Sequence, residues 1–279
     1  GSDLIIGTDP DADRVGVMVR TQDGDYVGIS GNQMGVLLLD YIIKARKKAG
    51  TLPENAAAIK TIVTTEMARE VAWRNGVHMD ETFTGFKFMA EKVAEYEKTG
   101  KYDCLMAYEE SYGYMMGSYV RDKDAVTASV MIAEMAAHYF EKGMTLLQAM
   151  ESLYREYGWY GERTLNLLMP GLDGLERMKS LMERLRAEPP KEISGVQVLR
   201  MRDYLSGRIS VAGLGVVGET EIRGSNVLYF ELADGTSFIV RPSGTEPKVK
   251  VYILAKGESR SECDRKLEKY EAFARTLGA

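Results

Sequence analysis

The chain has 279 residues, of which 45% are hydrophobic and 28% are charged, a composition ordinary for a folded globular protein. At roughly 100–200 residues per domain, this length predicts about two domains. The net charge of −5, without a basic stripe, excludes a typical nucleic-acid-binding protein. Apolar runs also stay short of the roughly 20 residues that a membrane span needs.

Two cysteines, Cys104 and Cys263, lie far apart in the sequence. Their isolation argues against a disulfide framework and a zinc site, and it indicates a reducing compartment, so we expect a cytoplasmic protein. The chain starts with Gly1 and Ser2 instead of Met, and a predicted strand follows at once. We therefore expect that it begins inside a domain, after an N-terminal part able to carry essential chemistry.

The first half of the chain alternates strand-like and helix-like segments. Strands are predicted at 4–6, 15–19, 56–64, 77–83 and 102–108, and helices at 34–48, 66–75 and 86–98. Asp23–Asp25 (DGD) is a turn signal between two strand-like runs. This alternation predicts a three-layer α/β sandwich, in which a mixed, mostly parallel sheet has helices on both faces. In such sheets, ligands bind at the carboxyl ends of the strands.

The second half changes this rhythm. A helix at 124–141 is followed by another that opens with a capping box from Thr145 to Gln148 and ends at Gly158, where we place a domain boundary. Further strands are predicted at 163–168, 196–200, 227–232, 237–241 and 248–255, and further helices at 172–187 and 259–277. Antiparallel strands combined with two helices predict a small α+β domain.

The segment Gly7–Arg14 (GTDPDADR) joins the first two predicted strands and carries three carboxylates at a spacing of two residues. Three aspartates so close together repel one another unless a cation neutralises them. Hard oxygen ligands without nearby Cys or His favour Mg²⁺. We therefore predict that Asp9, Asp11 and Asp13 bind a metal ion, although a solvated acidic turn gives the same pattern.

An EF-hand loop also begins with aspartates at alternate positions, but it needs Gly at position 6 and Glu at position 12. Counted from Asp9, those positions hold Arg14 and Arg20. The flanking segments are also strand-like and not helical. This alternative is therefore excluded.

Two further loops follow predicted strands of the first domain. Thr84–Lys87 (TGFK) contains a glycine that allows a close backbone approach to a ligand, and a plain strand-to-helix junction looks the same. Glu109–Gly113 (EESYG) combines carboxylates with a hydroxyl able to hydrogen-bond sugar hydroxyls, and a polar surface loop is the alternative. Arg121–Asp124 is consistent with a helix start capped by an aspartate.

The segment Arg241–Lys248 (RPSGTEPK) lies between two predicted strands of the second domain. It joins one guanidinium, two hydroxyls and a glycine able to turn N–H groups inward, a donor set suited to phosphate. The Gly-Lys-Ser/Thr pattern of a P-loop is absent. A Pro/Gly turn is the alternative, but this density of donors exceeds what a turn needs.

These four motifs stand in the order found in the α-D-phosphohexomutases, which the chain resembles along its whole length. The TGFK and EESYG variants are most similar to the branch that contains bacterial α-phosphoglucomutases and the animal phosphoglucomutase-2/phosphopentomutase type. The resemblance implies that residues 1–29 are the tail of domain 2 with the metal-binding loop. It makes residues 30–158 the sugar-recognition domain 3, and residues 159–279 domain 4, a phosphate-binding α+β domain of the TATA-box-binding-protein-like type.

The resemblance also implies roles for single residues. A phosphoserine in domain 1 would phosphorylate a sugar phosphate and recover a phosphoryl group from a glucose 1,6-bisphosphate intermediate, assisted by Mg²⁺ and Arg14. Lys123 would give electrostatic or acid–base help near the reacting end. The residues that would contact the sugar are Thr84, Gly85, Glu109, Ser111 and Lys123. Those that would hold the distal phosphate are Arg241, Ser243, Gly244 and Thr245.

The serine loop of the family, Ser-His-Asn-Pro, does not occur in these 279 residues, so we expect residues 1–279 alone to be inactive as a mutase. The expected partner is a small sugar phosphate, and not nucleic acid or a membrane. Phosphomannomutase and phosphopentomutase remain alternatives to phosphoglucomutase, as does a non-catalytic sugar-phosphate-binding module. A Mg²⁺-dependent phosphatase matches poorly, because its D-x-D-x-T/V pattern is only approximated by Asp11–Val15 (DADRV).

Overall fold

The computed structural model describes residues 1–244 and 246–278. The chain divides into two compact units, Gly1–Tyr157 (unit 1) and Gly158–Ala279 (unit 2), and each is described by itself. Throughout the described residues, no helix combines the length and the apolar character that crossing a membrane requires.

Unit 1 begins with a small antiparallel sheet and continues as an α/β sandwich. Its elements are β1 (Leu4–Thr8), β2 (Val15–Arg20), β3 (Tyr26–Ile29), α1 (Gly31–Ala49), β4 (Ala56–Thr61), α2 (Met67–Arg74), β5 (His78–Thr82), α3 (Phe86–Thr99), β6 (Asp103–Glu109), β7 (Gly113–Met115), α4 (Ala125–Glu141) and α5 (Leu146–Tyr157). The first sheet has the strand order β1-β2-β3 and the second has the order β5-β4-β6-β7. Strand β4 pairs in parallel with β5 and β6, whereas β7 is antiparallel to β6.

Both faces of the second sheet are apolar, so helices pack on each of them. One face packs against α3 through these buried side chains: Ala57, Ile59, Phe86, Met89, Val93, Tyr96, Ala107 and Met115. On the opposite face, Gly35 of α1 lies against the ring of Tyr108, and a Cβ at Gly35 would stand only 1.9 Å from a ring carbon. The mostly parallel sheet between two helical layers confirms the predicted three-layer sandwich.

Capping boxes set the start of two helices in unit 1. Helix α1 begins three residues before the predicted start, because the Gln33 N–H donates to Ser30 Oγ (3.2 Å) and the Ser30 N–H donates to Gln33 Oε1 (3.0 Å). The capping box predicted at Thr145 and Gln148 is confirmed by the same pair of hydrogen bonds. Each box satisfies N–H groups that a helix start leaves unpaired.

Unit 2 is an antiparallel sheet with two helices packed on the same face. Its elements are β8 (Trp159–Leu168), α6 (Gly174–Ala187), β9 (Glu192–Ile193), β10 (Val196–Asp203), β11 (Arg208–Val211), β12 (Gly215–Glu219), β13 (Leu228–Leu232), β14 (Ser237–Pro242), β15 (Lys248–Gly257) and α7 (Arg260–Thr276). The strand order is β12-β11-β10-β13-β14-β15-β8, with β9 paired to β10. Leu181 of α6 and Leu267 of α7 share one apolar cluster with Phe238 and Val251 of the sheet. This arrangement confirms the predicted α+β domain.

Four short strands, β7, β9, β11 and β12, are not predicted by the sequence pattern. Strand β9 has only two residues, too few for any periodic pattern. Strand β12 is exposed along its whole length and contains Gly215 and Gly218, so it lacks the apolar alternation by which strands are found. Both strands owe their pairing to the neighbouring β10 and β11, and not to a signal of their own.

Candidate active site and phosphate-binding loop

The acidic loop, Gly7–Arg14, forms the turn between β1 and β2, as predicted. The Asp9 carboxylate accepts hydrogen bonds from the backbone N–H groups of Arg14 (3.1 Å) and Asp13 (3.2 Å). These bonds, chiefly the one from Arg14, lower the pKa of Asp9, because a carboxylate that accepts N–H bonds is stabilised in its charged form. Ala12 completes the turn with a φ of 54°, in the left-handed region.

Asp13 faces a cation from a distant segment of the chain. Lys123 Nζ lies 3.1 Å from Asp13 Oδ2 and 3.2 Å from Asp122 Oδ1. Partial burial acts to lower the pKa of Lys123, but hydrogen bonds to these two carboxylates outweigh it and raise that pKa above its usual value. Lys123 is therefore a fixed positive charge beside the acidic loop.

Arg14 lies between the acidic loop and the loop that follows β6, Glu109–Gly113 (the β6 loop). Its guanidinium is 4.0 Å from Asp9 Oδ2 and 4.0 Å from Glu109 Oε1. The main chains of the two loops are also joined, since the Val15 N–H donates to the carbonyl of Tyr112 at 3.2 Å. Two motifs that are about 100 residues apart in sequence therefore lie next to each other in the fold.

Phe86 brings a third motif to this place. A Cβ at Gly113 would stand 2.5 Å from Lys123 Cδ and 3.0 Å from Phe86 Cε2, so glycine makes room for both side chains. The Lys123 ammonium lies 5.2 Å from the centre of the Phe86 ring, a cation–π distance. Sequence reasoning gave Phe86 no role, because an aromatic residue after a strand is more simply explained by core packing.

Four predicted residues of unit 1 remain to be placed. Gly85 caps α3 with a φ of 113°, a conformation that favours glycine. Thr84 and Ser111 are half-buried, and Asp11 is exposed. Thr84, Gly85 and Ser111 follow the carboxyl ends of β5 and β6, which belong to the parallel part of the sheet, so they share the edge where ligands bind.

The predicted metal ligands fit a hard cation in their chemistry. Their three carboxylates are the donors that Mg²⁺ prefers, and Asp13 Oδ1 is buried without a hydrogen-bond partner among the described residues. However, within residues 1–244 and 246–278, no group of three Asp, Glu, His or Cys side chains is arranged to hold a metal ion. Asp9 faces backbone N–H groups and Asp13 faces Lys123. The metal site therefore stays a prediction.

In unit 2, the loop Arg241–Lys248 joins β14 to β15 and is closed by its own main chain. The Ser243 N–H donates to the Lys248 carbonyl (2.9 Å), and the Lys248 N–H donates to the Glu246 carbonyl (2.8 Å). Ser243 Oγ accepts a hydrogen bond from the Glu246 N–H (3.3 Å), and the Lys248 ammonium pairs with the Glu246 carboxylate. The described residues of this loop are thus joined by contacts within one continuous segment.

Two basic residues stand side by side at the start of this loop. Arg241 of β14 is paired directly with Lys250 of β15, so the two side chains share one face of the sheet. Like charges at such a position repel each other, and an anion bound there would relieve the repulsion. Gly244 is exposed. Thr245, which was also predicted to bind phosphate, lies outside the described residues.

Comparison with solved structures shows which fold the chain shares with known proteins. The Paramecium phosphoglucomutase parafusin, in its open form, matches with a TM-score of 0.62 and 18% identity over 99% of this chain and 44% of its own. Aspergillus fumigatus N-acetylphosphoglucosamine mutase, solved with GlcNAc-6P and magnesium, matches with a TM-score of 0.55 and 14% identity over 99% of this chain and 49% of its own. At these identities the likeness shows the fold alone, which is the fold of the α-D-phosphohexomutases.

Sequence comparison gives the family. The model for the phosphoglucomutase/phosphomannomutase alpha/beta/alpha domain III matches residues 30–157, and the model for the C-terminal domain of the same enzymes matches residues 179–265. Phosphoglucomutases of Staphylococcus aureus are 34% identical over 255 residues (strain MRSA252; 91% of this chain, 45% of the relative) and over 266 residues (strain MSSA476; 95% and 47%). The chain belongs to the phosphoglucomutase/phosphomannomutase family, and it spans about half the length of the curated relatives it matches.

Proposed function

We propose that this chain is the metal-loop, sugar-reading and phosphate-holding part of a phosphoglucomutase, which interconverts glucose 1-phosphate and glucose 6-phosphate. The observation that carries the proposal is the position of the Arg14 guanidinium, 4.0 Å from Asp9 and 4.0 Å from Glu109. Through Arg14, the loop suited to a cation adjoins the loop suited to sugar hydroxyls. The S. aureus relatives, named phosphoglucomutases, support glucose as the sugar.

The proposed reaction moves a phosphoryl group between a serine and the sugar. The phosphoserine, supplied by a part of the protein beyond these residues, would lose its phosphoryl group to a hydroxyl of the sugar phosphate. The resulting glucose 1,6-bisphosphate would return its other phosphoryl group to the serine. In this scheme Glu109 and Ser111 orient the sugar through hydrogen bonds to its hydroxyls, and Thr84 and Gly85 line the same edge of the sheet.

The charged residues of unit 1 have separate proposed roles. Asp9, Asp11 and Asp13 would hold Mg²⁺, which when bound would neutralise charge on the transferring phosphoryl group. Lys123 is protonated at neutral pH, because its hydrogen bonds to Asp13 and Asp122 raise its pKa. Its proposed role is therefore electrostatic stabilisation, and not removal of a proton.

In unit 2, Arg241, Ser243, Gly244 and Thr245 would hold the phosphate that is not transferred. A guanidinium can donate two parallel N–H bonds to phosphate, and hydroxyls add further donors. The neighbouring Lys250 adds a second positive charge on the same face of the sheet. This assignment needs no other part of the protein, since all these residues come from one hairpin.

An NMR titration of residues 1–279 tests the proposal. Glucose 1-phosphate should shift the backbone amide signals of the β6 loop and of Gly244, whereas inorganic phosphate should shift only Gly244 and its neighbours. Mannose 1-phosphate and ribose 1-phosphate, titrated in the same way, test the phosphomannomutase and phosphopentomutase alternatives. If glucose 1-phosphate shifts only signals of unit 2, the sugar-reading role of the β6 loop is wrong.

A second candidate function is a non-catalytic sugar-phosphate-binding module. It is favoured by one observation, the absence of Ser-His-Asn-Pro from these 279 residues. The two functions differ in turnover, because only a mutase isomerises glucose 1-phosphate. A Ser-His-Asn-Pro-like loop in the parent reading frame, with turnover by the protein that it encodes, would decide for the mutase.

A further inference from the structure

The end of β4 and the turn that follows it, residues 61–65, form a buried support next to the β6 loop. Thr61 Oγ1 and Thr64 Oγ1 lie 2.8 Å apart, and they approach Glu110 Oε2 at 3.4 and 3.5 Å, respectively. Both threonines are completely buried. The two hydroxyl groups have one proton each, so they can donate at most two of these three contacts. The Glu110 carboxylate can only accept.

A network of charged side chains around Lys60 holds that buried support in place. Lys60 is completely buried, and its ammonium donates to the carbonyls of Thr61 (3.4 Å) and Thr64 (3.2 Å). It also forms ion pairs with Glu66 (2.8 Å) and Glu81 (2.6 Å). Because the Lys60 ammonium binds the main-chain carbonyls of Thr61 and Thr64, it fixes the backbone from which the two threonine side chains project.

The first turn of α1 also contacts the β6 loop. A Cβ at Gly31 would stand 2.1 Å from the Glu110 carbonyl oxygen, so the helix and the loop are in direct backbone contact. The next residue, Asn32, accepts a hydrogen bond from the Thr65 N–H at 2.9 Å and so connects the helix to the buried support. Tyr112 of the β6 loop has a φ of 67°, a strained conformation that persists only where surrounding contacts impose it.

We propose that Glu110 is a positioning residue of the β6 loop. Its carboxylate contacts the hydroxyls of Thr61 and Thr64 and thereby fixes the peptide units that join Glu110 to Glu109 and Ser111. This orients the Glu109 and Ser111 side chains toward the sugar. The inference rests on the proposed function, because it presumes that Glu109 and Ser111 contact sugar hydroxyls. Glu110 itself faces the buried support and does not contact the ligand.

The test compares two probes on residues 1–279 and its variants. Dissociation constants for glucose 1-phosphate and inorganic phosphate are measured by NMR for Glu110→Met and for Thr61→Val combined with Thr64→Val. We expect glucose 1-phosphate to bind about three- to tenfold more weakly, the effect of losing one hydrogen bond of ordinary strength to a sugar hydroxyl. Binding of inorganic phosphate should stay unchanged, because it depends on unit 2.

Three controls separate positioning from general damage. Thr64→Ser keeps the hydroxyl and should restore wild-type affinity, and Glu54→Met removes an exposed carboxylate elsewhere in unit 1 and should change nothing. Without ligand, amide hydrogen exchange at Ser111 and Tyr112 should quicken in Glu110→Met while that of β4 stays constant. If the double threonine variant does not fold, Glu110→Met, at a half-buried site, still gives the answer.

The outcomes distinguish the two ideas. If Glu110→Met keeps the wild-type ratio of the two dissociation constants, the positioning role is overturned and the proposed function stands. If the wild type binds both probes equally and its β6 loop signals do not shift with glucose 1-phosphate, both ideas are overturned. A loss of affinity for both probes in Glu110→Met would also overturn the positioning role, because that role affects only the sugar.

Discussion

The ammonium of Lys123 lies 3.1 Å from a carboxylate oxygen of Asp13, one of the three aspartates predicted to bind Mg²⁺. A lysine and a dication cannot both neutralise the same carboxylate without repelling each other. The second Asp13 oxygen is buried and has no hydrogen-bond partner in the part of the chain that the structure describes. Asp9 already accepts hydrogen bonds from the N–H groups of Arg14 and Asp13. If Mg²⁺ binds at these aspartates, Lys123 would compete with it for Asp13.

We predict that wild-type residues 1–279 bind Mg²⁺ weakly and that Lys123→Met binds it more tightly. Removing one positive charge close to the site is worth about 1 kcal/mol in a well-hydrated environment, or roughly a fivefold change in affinity. Isothermal titration calorimetry with Mg²⁺ measures both constants. Lys142→Met, at an exposed position at the end of α4, is the matched control and should behave as the wild type. Tight binding by the wild type would contradict the prediction.

We predict no mutase activity for residues 1–279, with or without Mg²⁺ and glucose 1,6-bisphosphate. The physical reason is that these residues contain no Ser-His-Asn-Pro segment to carry the phosphoryl group. A coupled assay that detects glucose 6-phosphate formed from glucose 1-phosphate provides the measurement. Turnover above a buffer control would show that another residue of this chain can act as the nucleophile.

We predict that Lys60→Met destabilises unit 1 toward the lower end of about 3–5 kcal/mol, the usual cost of breaking a buried ion pair. The substitution leaves Glu81 in a half-buried site, where it keeps an ion pair with Arg69 Nη2 at 2.7 Å. Amide hydrogen exchange of the β4 core measures the free energy of opening within unit 1. Lys98→Met, at an exposed position, should leave it unchanged.

The same variant should alter the pH dependence of stability. Burial acts to raise the pKa of Glu81, but the charges of Lys60 and Arg69 lower it to about 2. A depressed carboxyl pKa stabilises the folded state above its unfolded value of 4.5, and this stabilisation is lost as the pH falls from there toward 2. We expect wild-type unit 1 to lose stability across this interval and Lys60→Met to lose less. An equal loss in both proteins would show that Lys60 does not hold Glu81 ionised.

The sequence predicted the parts of the site better than their contacts. Asp9 and Glu109 were singled out because their motifs carry an unusual density of polar groups at strand ends. The position of Arg14 between them depends on an interstrand arrangement that no local pattern encodes. Predicting it would require knowing that the Val15 N–H pairs with the Tyr112 carbonyl, a contact between segments almost 100 residues apart.

Lys60 shows the same limit in the core. In the sequence it is one lysine within an otherwise apolar strand, where a lysine usually marks an exposed position. Its burial follows from the parallel register that places it beside Glu81 on β5, and that register is set by the whole sheet. Local periodicity gives the strand and its faces, whereas the partner that makes a buried charge tolerable comes only from tertiary structure.

The last prediction concerns Arg241, which we expect to bind phosphate through two parallel N–H bonds. Arg241→Lys keeps the charge but loses this fork, so phosphate should bind more weakly; Ser243→Ala removes one hydroxyl and should weaken it less. Affinity should also fall with rising salt, because contacts of half-exposed charges are screened. The measurement is a phosphate titration followed by the NMR amide signal of Gly244, with Arg260→Lys as a control at another basic residue of unit 2. If the Gly244 amide stays still while other signals move, phosphate binds elsewhere and this loop has a different purpose.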